Sequence, residues 1–271
     1  MKTCFNSTTL RNFEFGEALR LIRKAGYDGV EMALNDTHLH PLASPDGKIN
    51  DAKNLCADIG LEIACIAAGG PNLLGDTPYE PSLISADSGG RQSRFDVIRR
   101  SIELTHKLGC PVLNVNSGLP TDAVSSGQAR DYFLEAVFKF IPELDGIVLV
   151  IEPEPDFFVG TTTTAIEMIN EIGDPNVMLN LDIGHVFCCE DDCYEAIERA
   201  LPYTRHIHIE DIRNRVHHHE IPGEGDIDFK LIAAAVKAAR YPHFISVELH
   251  HHDQDWQRAL NVSLDYITRV F

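Results

Sequence analysis

The chain has 271 residues, of which 44% are apolar, so it is long enough for one large α/β domain or two small ones. It carries 23 Lys and Arg against 41 Asp and Glu, a formal net charge of −18, which argues against a phosphate-binding surface and hence against a nucleic-acid partner. No apolar run reaches membrane-spanning length, and the N-terminal segment MKTCFNSTTL lacks the apolar core of a signal peptide. We therefore expect a cytoplasmic protein that does not bind membranes.

Strand-like and helix-like segments alternate along the chain. In the first half, short apolar runs predict strands at residues 3–6, 29–33, 62–67 and 111–115. Apolar residues at helical spacing predict the helices between and after them at residues 15–25, 50–59, 91–108 and 129–141. The first three of these helices are each followed by a glycine (Gly26, Gly60 and Gly109), which favours a helix end at that point.

The second half of the chain repeats this pattern. Strands are predicted at residues 148–152, 177–182, 206–209 and 244–248, and helices at residues 163–172, 193–200, 228–239 and 255–270. Eight strand–helix units predict an α/β fold, a (β/α)8 TIM barrel that forms a single domain over residues 1–271. An open doubly wound sheet is less favoured, because residues 6–9 are not the glycine-rich turn that it uses after its first strand. Two long segments, residues 68–90 and 211–225, are predicted to be loops that cover the active site.

The last four predicted strands each carry a residue that can bind a divalent cation. Glu152, Asp182 and Glu248 end three of these strands, and the strand between Asp182 and Glu248 carries His206 and His208. Because the carboxyl ends of barrel strands meet at one mouth, we expect Glu152, Asp182, His208 and Glu248 to converge. Three carboxylates and one imidazole suit Mn²⁺, Mg²⁺, Co²⁺ or Zn²⁺. A salt bridge or a helix cap would explain any one of these residues, but hardly four at matching strand ends.

Five short segments carry a resemblance to a known family: Glu152-Pro153-Glu154-Pro155, Asp182-Ile183-Gly184-His185, His208-Ile209-Glu210-Asp211, Pro222-Gly223-Glu224-Gly225-Asp226-Ile227-Asp228-Phe229 and Val247-Glu248-Leu249. In this order they resemble the xylose isomerase-like TIM-barrel superfamily, which contains sugar phosphate isomerases and epimerases and a related AP-endonuclease branch. The resemblance implies one divalent cation, with Mn²⁺ favoured and Mg²⁺, Co²⁺ or Zn²⁺ as alternatives. Its His-x-x-Asp pattern selects His208 rather than His206 as the ligand that accompanies Glu152, Asp182 and Glu248.

The resemblance also implies a reaction. Either Glu152 or Glu248 would remove a proton from the carbon beside a carbonyl, and the other would return one, through a metal-stabilised enediolate. The expected enzyme isomerises or epimerises a sugar, keto-sugar or cyclitol, with an unphosphorylated substrate favoured. A lyase or dehydratase that uses the same enediolate is one alternative. The other is an AP-endonuclease-like phosphodiester hydrolase, which the net charge of −18 disfavours, as does Asn116 where the endonucleases use a histidine.

Further site residues follow from the same resemblance. His185, Arg213 and His219 are expected to bind the substrate, with a contact to a ligand carboxylate as the alternative for His185 and a surface ion pair for Arg213. From its position two residues after Glu152, Glu154 is also expected to bind the substrate, or else to orient a ligand. In the endonuclease branch, the residues that match His185, His217 and His219 hold an extra zinc ion. A second metal at these three histidines is therefore an additional hypothesis, and its alternative is a solvated histidine run. The expected partner is a small carbohydrate, and assembly into a homo-oligomer is left open.

Overall fold

Eight parallel strands close into a barrel in the computed structural model, which describes all residues from Met1 to Phe271. The barrel strands, in chain order, are β1 (Lys2–Asn6), β2 (Gly29–Ala33), β3 (Glu62–Ala67), β4 (Val112–Val115), β5 (Val148–Ile151), β6 (Val177–Asp182), β7 (Thr204–Ile209) and β10 (Phe244–Val247). Each strand pairs with the next one in this order, and β10 closes the ring by pairing with β1. The predicted TIM barrel is confirmed.

Helices follow the barrel strands and form the outer layer: α1 (Phe15–Ala25), α2 (Asp46–Ile59), α3 (Ser88–Leu108), α4 (Ser126–Leu144), α5 (Thr162–Ile172), α6 (Ile183–Cys189), α7 (Cys193–Ala200), α8 (Phe229–Ala238) and α9 (Trp256–Val270). Three of them, α2, α3 and α4, begin three or four residues earlier than predicted, because their first turns are polar and apolar periodicity does not reveal them. The start of α4 is instead marked by a capping box, in which Ser125 and Gln128 bond to each other's backbone N–H. None of the helices is long and apolar enough to cross a membrane.

Two elements near the barrel mouth were not predicted. The short helix α6 begins directly after Asp182, where the sequence analysis placed only a connection. Residues 211–225, predicted as a loop, contain an antiparallel hairpin of β8 (Asp211–Arg213) and β9 (Val216–Glu220). Asn214 and Arg215 form its turn with φ angles of 55° and 58°. A two-residue hairpin turn needs such positive φ values, but here no glycine announces it in the sequence.

Polar side chains collect in the barrel lumen at the C-terminal ends of the strands. Side chains alternate along each strand, so Val150 and Glu152 share the side of β5 that faces the lumen. Val150 belongs to a small apolar cluster with Cys65 and Val112, whereas Glu152 lies one layer nearer the mouth. The main apolar core, a cluster of 68 buried residues, joins the strands to the surrounding helices. The core therefore supports the barrel from outside and leaves its mouth to polar residues.

Candidate metal centre and active site

The four predicted cation ligands meet at the mouth of the barrel. Glu152 directly follows β5, Asp182 ends β6, His208 lies near the end of β7, and Glu248 directly follows β10. Their candidate ligand atoms all lie within 4.8 Å of one another. The Nδ1 atom of His208 is 3.0 Å from Glu152 Oε1, 3.3 Å from Glu248 Oε2 and 3.5 Å from Asp182 Oδ2. The structure thus brings the four side chains together, with the imidazole between the carboxylates.

Glu31 contacts the opposite nitrogen of the His208 ring. Both carboxylate oxygens of Glu31 lie 2.9 Å from His208 Nε2, and Oε2 also lies 3.1 Å from His206 Nε2. All three side chains are completely buried. Burial alone would raise the pKa of Glu31, but His208 and His206 bring it well below its ordinary value. Glu31 is therefore an ionised carboxylate that joins two histidines of the lumen.

Two asparagines bind the outer oxygens of the two glutamates. Asn114 Nδ2, on β4, donates to Glu152 Oε2 at 2.6 Å, and Asn6 Nδ2, at the end of β1, donates to Glu248 Oε1 at 2.8 Å. In both glutamates, the other oxygen is the one that faces His208. Each amide therefore orients its glutamate and leaves one oxygen available for a cation.

The unpaired atoms and charges of the cluster fit a divalent cation. Glu152 Oε1 and Asp182 Oδ2 are buried and have no hydrogen-bond partner, which is unfavourable for a carboxylate unless a cation neutralises it. Burial alone would lower the pKa of His208, but Glu31, Glu248 and Glu152 raise it well above its ordinary value. A proton on His208 thus supplies positive charge at the place where a bound cation would supply it. The donor set and its charge suit the ion that the family resemblance implies.

Asp182 connects this cluster to helix α6. Its Oδ1 accepts a hydrogen bond from the backbone N–H of His185 at 2.7 Å, which caps the helix and leaves Oδ2 facing the cluster. The His185 ring donates from Nδ1 to the carbonyl oxygen of Pro153 at 2.9 Å. Its Nε2 has no hydrogen-bond partner and lies 3.7 Å from Asp182 Oδ2 and 4.0 Å from Glu154 Oε1. His185 therefore directs an unpaired nitrogen toward two carboxylates.

Three histidines form a second group of candidate ligands beside the first. His185 and the β9 residues His217 and His219 have ring nitrogens within 4.8 Å of one another, and the Nε2 atoms of His217 and His219 are 3.0 Å apart. His219 donates from Nδ1 to the carbonyl oxygen of Glu248 at 3.0 Å, which leaves a lone pair on its Nε2. Burial lowers the pKa of His219 well below its ordinary value and that of His217 to about 4. Both are therefore neutral at pH 7, the form that binds metals.

A cavity of about 520 Å³ opens at the barrel mouth and includes Glu152 and Glu248 in its wall. Of the predicted substrate-binding residues, Glu154 and His219 line it, whereas His185 is not among its lining residues and has its Nε2 4.0 Å from Glu154 Oε1. Arg213 is not part of the wall. Its guanidinium donates to the carbonyl oxygen of Glu224 at the protein surface, so the structure does not support its predicted contact with substrate. The spacing after His208 was too weak a signal to predict where the hairpin directs this side chain.

The other side of the cavity includes part of the segment at residues 68–90, which was predicted to cover the active site, but apart from Asn116 its individual side chains were not identified from the sequence. Tyr79 lines it from the segment between β3 and α3, and its ring packs edge-on against Phe157 with 4.9 Å between the centroids. Several neutral amide and hydroxyl side chains line the same wall: Thr8, Asn35, Thr37, Asn72 and Asn116. Arg11 is the sole Lys or Arg among the lining residues. These residues come from loops after different strands, so no local sequence signal could have grouped them.

A family model described as xylose isomerase-like TIM barrel matches residues 19–269. The chain is 26% identical over 243 residues to the L-ribulose 3-epimerase of Mesorhizobium japonicum, which covers 87% of this chain and 75% of the relative. It is 25% identical over 248 residues to a putative hydroxypyruvate isomerase of Danio rerio, which covers 87% and 84%. A crystal structure of D-psicose 3-epimerase has a similar fold, with a TM-score of 0.81 and 18% identity, covering 99% and 98% of the two chains. Because the family model spans almost the whole sequence, this chain belongs to the xylose isomerase-like TIM-barrel family.

Proposed function

We propose that the protein is a divalent-metal-dependent isomerase or epimerase of a sugar, keto-sugar or cyclitol. The observation that carries this proposal is the pair Glu152 and Glu248, which come from the non-adjacent strands β5 and β10 and flank the Nδ1 atom of His208. A reaction that removes a proton from one side of a substrate and returns it on another side needs an acid–base group on each side, and two facing carboxylates provide this. The epimerase and isomerase among the relatives support the same class of reaction.

The proposed cation ligands are Glu152, Asp182, His208 and Glu248. Mn²⁺ is the proposed ion, because three carboxylate oxygens with one imidazole nitrogen suit it, and Mg²⁺, Co²⁺ and Zn²⁺ are the alternatives. A bound divalent cation would withdraw electrons from a substrate carbonyl and so make the hydrogen on the adjacent carbon more acidic. The side chains of the protein then have to remove that hydrogen, return it and hold the substrate.

Glu152 and Glu248 are the proposed proton-transfer residues. One carboxylate removes the proton from the carbon beside the carbonyl, and the other returns a proton to the opposite face or to the neighbouring carbon. The first outcome is an epimerisation and the second an isomerisation. Asn114 and Asn6 hold the two carboxylates in place through their outer oxygens, so that the inner oxygens face the space that the cation and the substrate would share. The same proton removal would also serve a lyase or dehydratase, which stays an alternative outcome.

Glu154, His185 and His219 are the proposed substrate-binding residues. Burial, followed by Glu152, raises the pKa of Glu154 to about 8 against the opposing effect of His185, so this carboxyl carries a proton at pH 7. It can therefore donate a hydrogen bond to a substrate oxygen. The Nε2 lone pair of His219 faces His217 Nε2 at 3.0 Å, and a substrate hydroxyl could take the place of His217 and donate to it when no second cation is bound. The neutral amides of the opposite wall favour an uncharged, unphosphorylated polyol.

His185, His217 and His219 are proposed to bind a second cation, which would displace the proton that the raised pKa of about 9 keeps on His185 at pH 7. Backbone carbonyls accept from the Nδ1 atoms of His185 and His219, which directs both Nε2 atoms toward the shared space near His217. An AP-endonuclease-like hydrolase remains the alternative function, but one further contact disfavours it. Asn116, where that branch uses a histidine, donates its amide hydrogen to the carbonyl oxygen of Gly69 at 3.0 Å and has no imidazole to offer a metal.

Hydrogen exchange on carbon tests the proposed function. Protein loaded with Mn²⁺ is incubated in D₂O with a panel of ketoses and inososes, and NMR detects deuterium at the carbon beside the carbonyl. We expect exchange with at least one compound, and we expect Glu152→Gln and Glu248→Gln to reduce its rate about 10²–10⁴-fold. Asn12→Ala is the control, because this exposed amide bonds to Asp253 at the surface and should leave exchange unchanged.

Two results would contradict the proposal. Turnover that persists in Glu248→Gln would remove Glu248 from proton transfer. Cleavage of DNA that contains abasic sites, without exchange on any sugar, would favour the endonuclease alternative instead.

A further inference from the structure

We propose that Glu31 is a positioning residue that holds His208 in the tautomer able to bind the cation, and that its contact with His206 is dispensable for this role. The inference rests on the proposed metal centre and extends it to a residue that does not touch the cation or the substrate. Nothing in the family resemblance pointed to Glu31, which looks in the sequence like an ordinary residue of strand β2.

The geometry of Glu31 supports a directed contact rather than a chance one. Strand β2 is separated from β7 by β1 and β10, so Glu31 reaches the His208 ring across the lumen. Both of its oxygens lie 2.9 Å from His208 Nε2, and Glu31 and His208 are fully buried. Asn180 Nδ2 also lies 3.3 Å from both nitrogens of the ring, so Glu31 makes the shorter contact at Nε2.

The chemistry of the contact determines where the ring hydrogen lies. One carboxyl group of Glu31 contacts two ring nitrogens, with both oxygens 2.9 Å from His208 Nε2 and Oε2 also 3.1 Å from His206 Nε2, so Glu31 is the acceptor and His208 Nε2 carries the hydrogen of the contact. When a cation takes the place of the second ring proton, the neutral imidazole keeps one hydrogen, on Nε2, and its lone pair is on Nδ1. That nitrogen is the one that faces Glu152, Asp182 and Glu248. The carboxylate also increases the electron density of the ring and so its affinity for a cation.

His206 provides the comparison that separates positioning from simple structural support. It donates from Nε2 to the same Glu31 carboxylate at 3.1 Å, but its Nδ1 has no hydrogen-bond partner and it is not among the four residues of the metal cluster. If Glu31 only neutralised buried histidines, loss of either the carboxylate or His206 would disturb the lumen to a similar extent. If Glu31 acts through His208, loss of the carboxylate should weaken Mn²⁺ binding more than loss of His206 does.

The experiment compares Mn²⁺ binding by Glu31→Gln and His206→Asn. An amide at position 31 has the size of the carboxylate, but it can direct N–H groups at His208 Nε2 and favour the wrong tautomer. Asn at position 206 removes the imidazole and keeps a donor for Glu31. By calorimetric titration we expect the Kd for Mn²⁺ to rise about 10–100-fold in Glu31→Gln and less than about 3-fold in His206→Asn. Thermal unfolding of both metal-free variants checks that they are folded.

Ring-nitrogen NMR provides a readout that structural support alone would not change. In the Zn²⁺-loaded, ¹⁵N-histidine-labelled protein, we expect His208 to carry its hydrogen on Nε2 and to bind the ion through Nδ1. Equal losses of Mn²⁺ affinity in the two variants, or a Kd for Glu31→Gln within about 2-fold of the parent, would overturn the inference. Should Glu31→Gln not fold, Glu31→Asp replaces it, with a smaller rise in Kd expected and an unchanged Kd as the contradicting result.

The binding experiment also separates this inference from the proposed function. A protein that binds Mn²⁺ through His208 and loses affinity in Glu31→Gln, but exchanges no hydrogen on any sugar, would refute the isomerase and retain the role of Glu31. Exchange that depends on Glu248, together with normal Mn²⁺ binding by Glu31→Gln, would support the isomerase and refute the role of Glu31. A parent protein that binds no divalent cation would refute both.

Discussion

Asn6 and Asn114 illustrate how two neutral side chains orient the charged groups of the site. A free glutamate at the barrel mouth could present either oxygen, or both, to a cation. Here each amide donates to one oxygen, at 2.8 Å for Asn6 and 2.6 Å for Asn114, and the other oxygen faces His208. The two contacts reduce the conformations of Glu152 and Glu248 before any cation or substrate arrives. Such pre-organisation is what precise proton transfer needs.

Replacement of the Asn114 amide tests this orienting role. In Asn114→Asp, a carboxylate oxygen would lie where an N–H group now donates to Glu152, and the two like charges would repel each other. We expect the Kd for Mn²⁺ to rise about 10–100-fold in a calorimetric titration. Asn12→Asp changes the net charge equally at the exposed surface and is the control. Equal effects of the two variants would show that net charge, and not the contact to Glu152, determines the affinity.

The β8–β9 hairpin is the element that carries His217 and His219 to the site. Its base is held by Asp211, which is buried and accepts backbone hydrogen bonds from Ile212, Gly223 and Ile227 at 2.9, 2.9 and 3.1 Å. One carboxylate thus ties the start of the hairpin to the segment that returns from it. The Asp in the His-x-x-Asp pattern therefore has a clear structural role, which is to fix the hairpin over the barrel mouth.

Asp211→Asn should weaken this element measurably. The amide would direct a donor at one of the three backbone N–H groups that now donate to Asp211, so at least one charged hydrogen bond is lost and one donor is left unpaired. We expect the free energy of unfolding to fall by about 1.5–3 kcal/mol in denaturant titrations. Asp226→Asn is a matched control in the same segment: Asp226 accepts from Asn214 at the exposed turn, and its loss should change stability by no more than about 0.5 kcal/mol. A similar loss in both variants would contradict the role of Asp211.

At the scale of the whole molecule, the barrel brings together many buried groups that titrate. Burial alone would lower the pKa of His185, but Asp182 and Glu154 raise it to about 9. At other positions burial prevails and lowers the pKa values of His38 and His217 to about 4. The folded protein therefore binds a proton more tightly than the unfolded chain at some histidines and less tightly at others. Its stability must depend on pH in opposite directions on the two sides of neutrality.

The metal-free protein should be most stable near pH 6.5, the ordinary pKa of histidine. The raised pKa of His185 contributes stability that is complete below about 6.5 and is lost as the pH rises toward 9. The lowered pKa values of His38 and His217 have the opposite effect, because stability is lost as the pH falls from about 6.5 toward 4. Thermal unfolding between pH 4 and 9, with a chelator or with excess Mn²⁺, measures the loss of stability on the acidic and on the alkaline side of this maximum. With Mn²⁺ present, Tm should fall less between pH 6.5 and 9. A metal-free Tm that rises from pH 6.5 to 9 would contradict the raised pKa of His185.

Periodicity and residue type predicted the barrel and the three carboxylate ligands, and the family resemblance selected His208 rather than His206 as the fourth. Buried strands and amphipathic helices are encoded by neighbouring residues, so the strand positions could be predicted within about two residues from local patterns alone. The convergence of Glu152, Asp182, His208 and Glu248 followed from one topological rule, that the carboxyl ends of parallel barrel strands share a mouth. Helix α6 and the β8–β9 hairpin were missed, because their signals are short and depend on a side-chain cap and on positive φ angles without glycine.

What the sequence by itself determined is therefore the barrel and the chemical character of its mouth, since both depend on local alternation and on the order of the strands. The contacts of Glu31, Asn6 and Asn114 were decided only by the tertiary structure. Each joins residues far apart in the chain, as Asn6 and Glu248 do with 242 positions between their numbers, and closure of the barrel sets those distances. Closure also directed Arg213 away from the cavity and Tyr79 into it. The orientation of a side chain in three dimensions depends on which partners the fold brings within hydrogen-bonding distance, and no linear pattern records that.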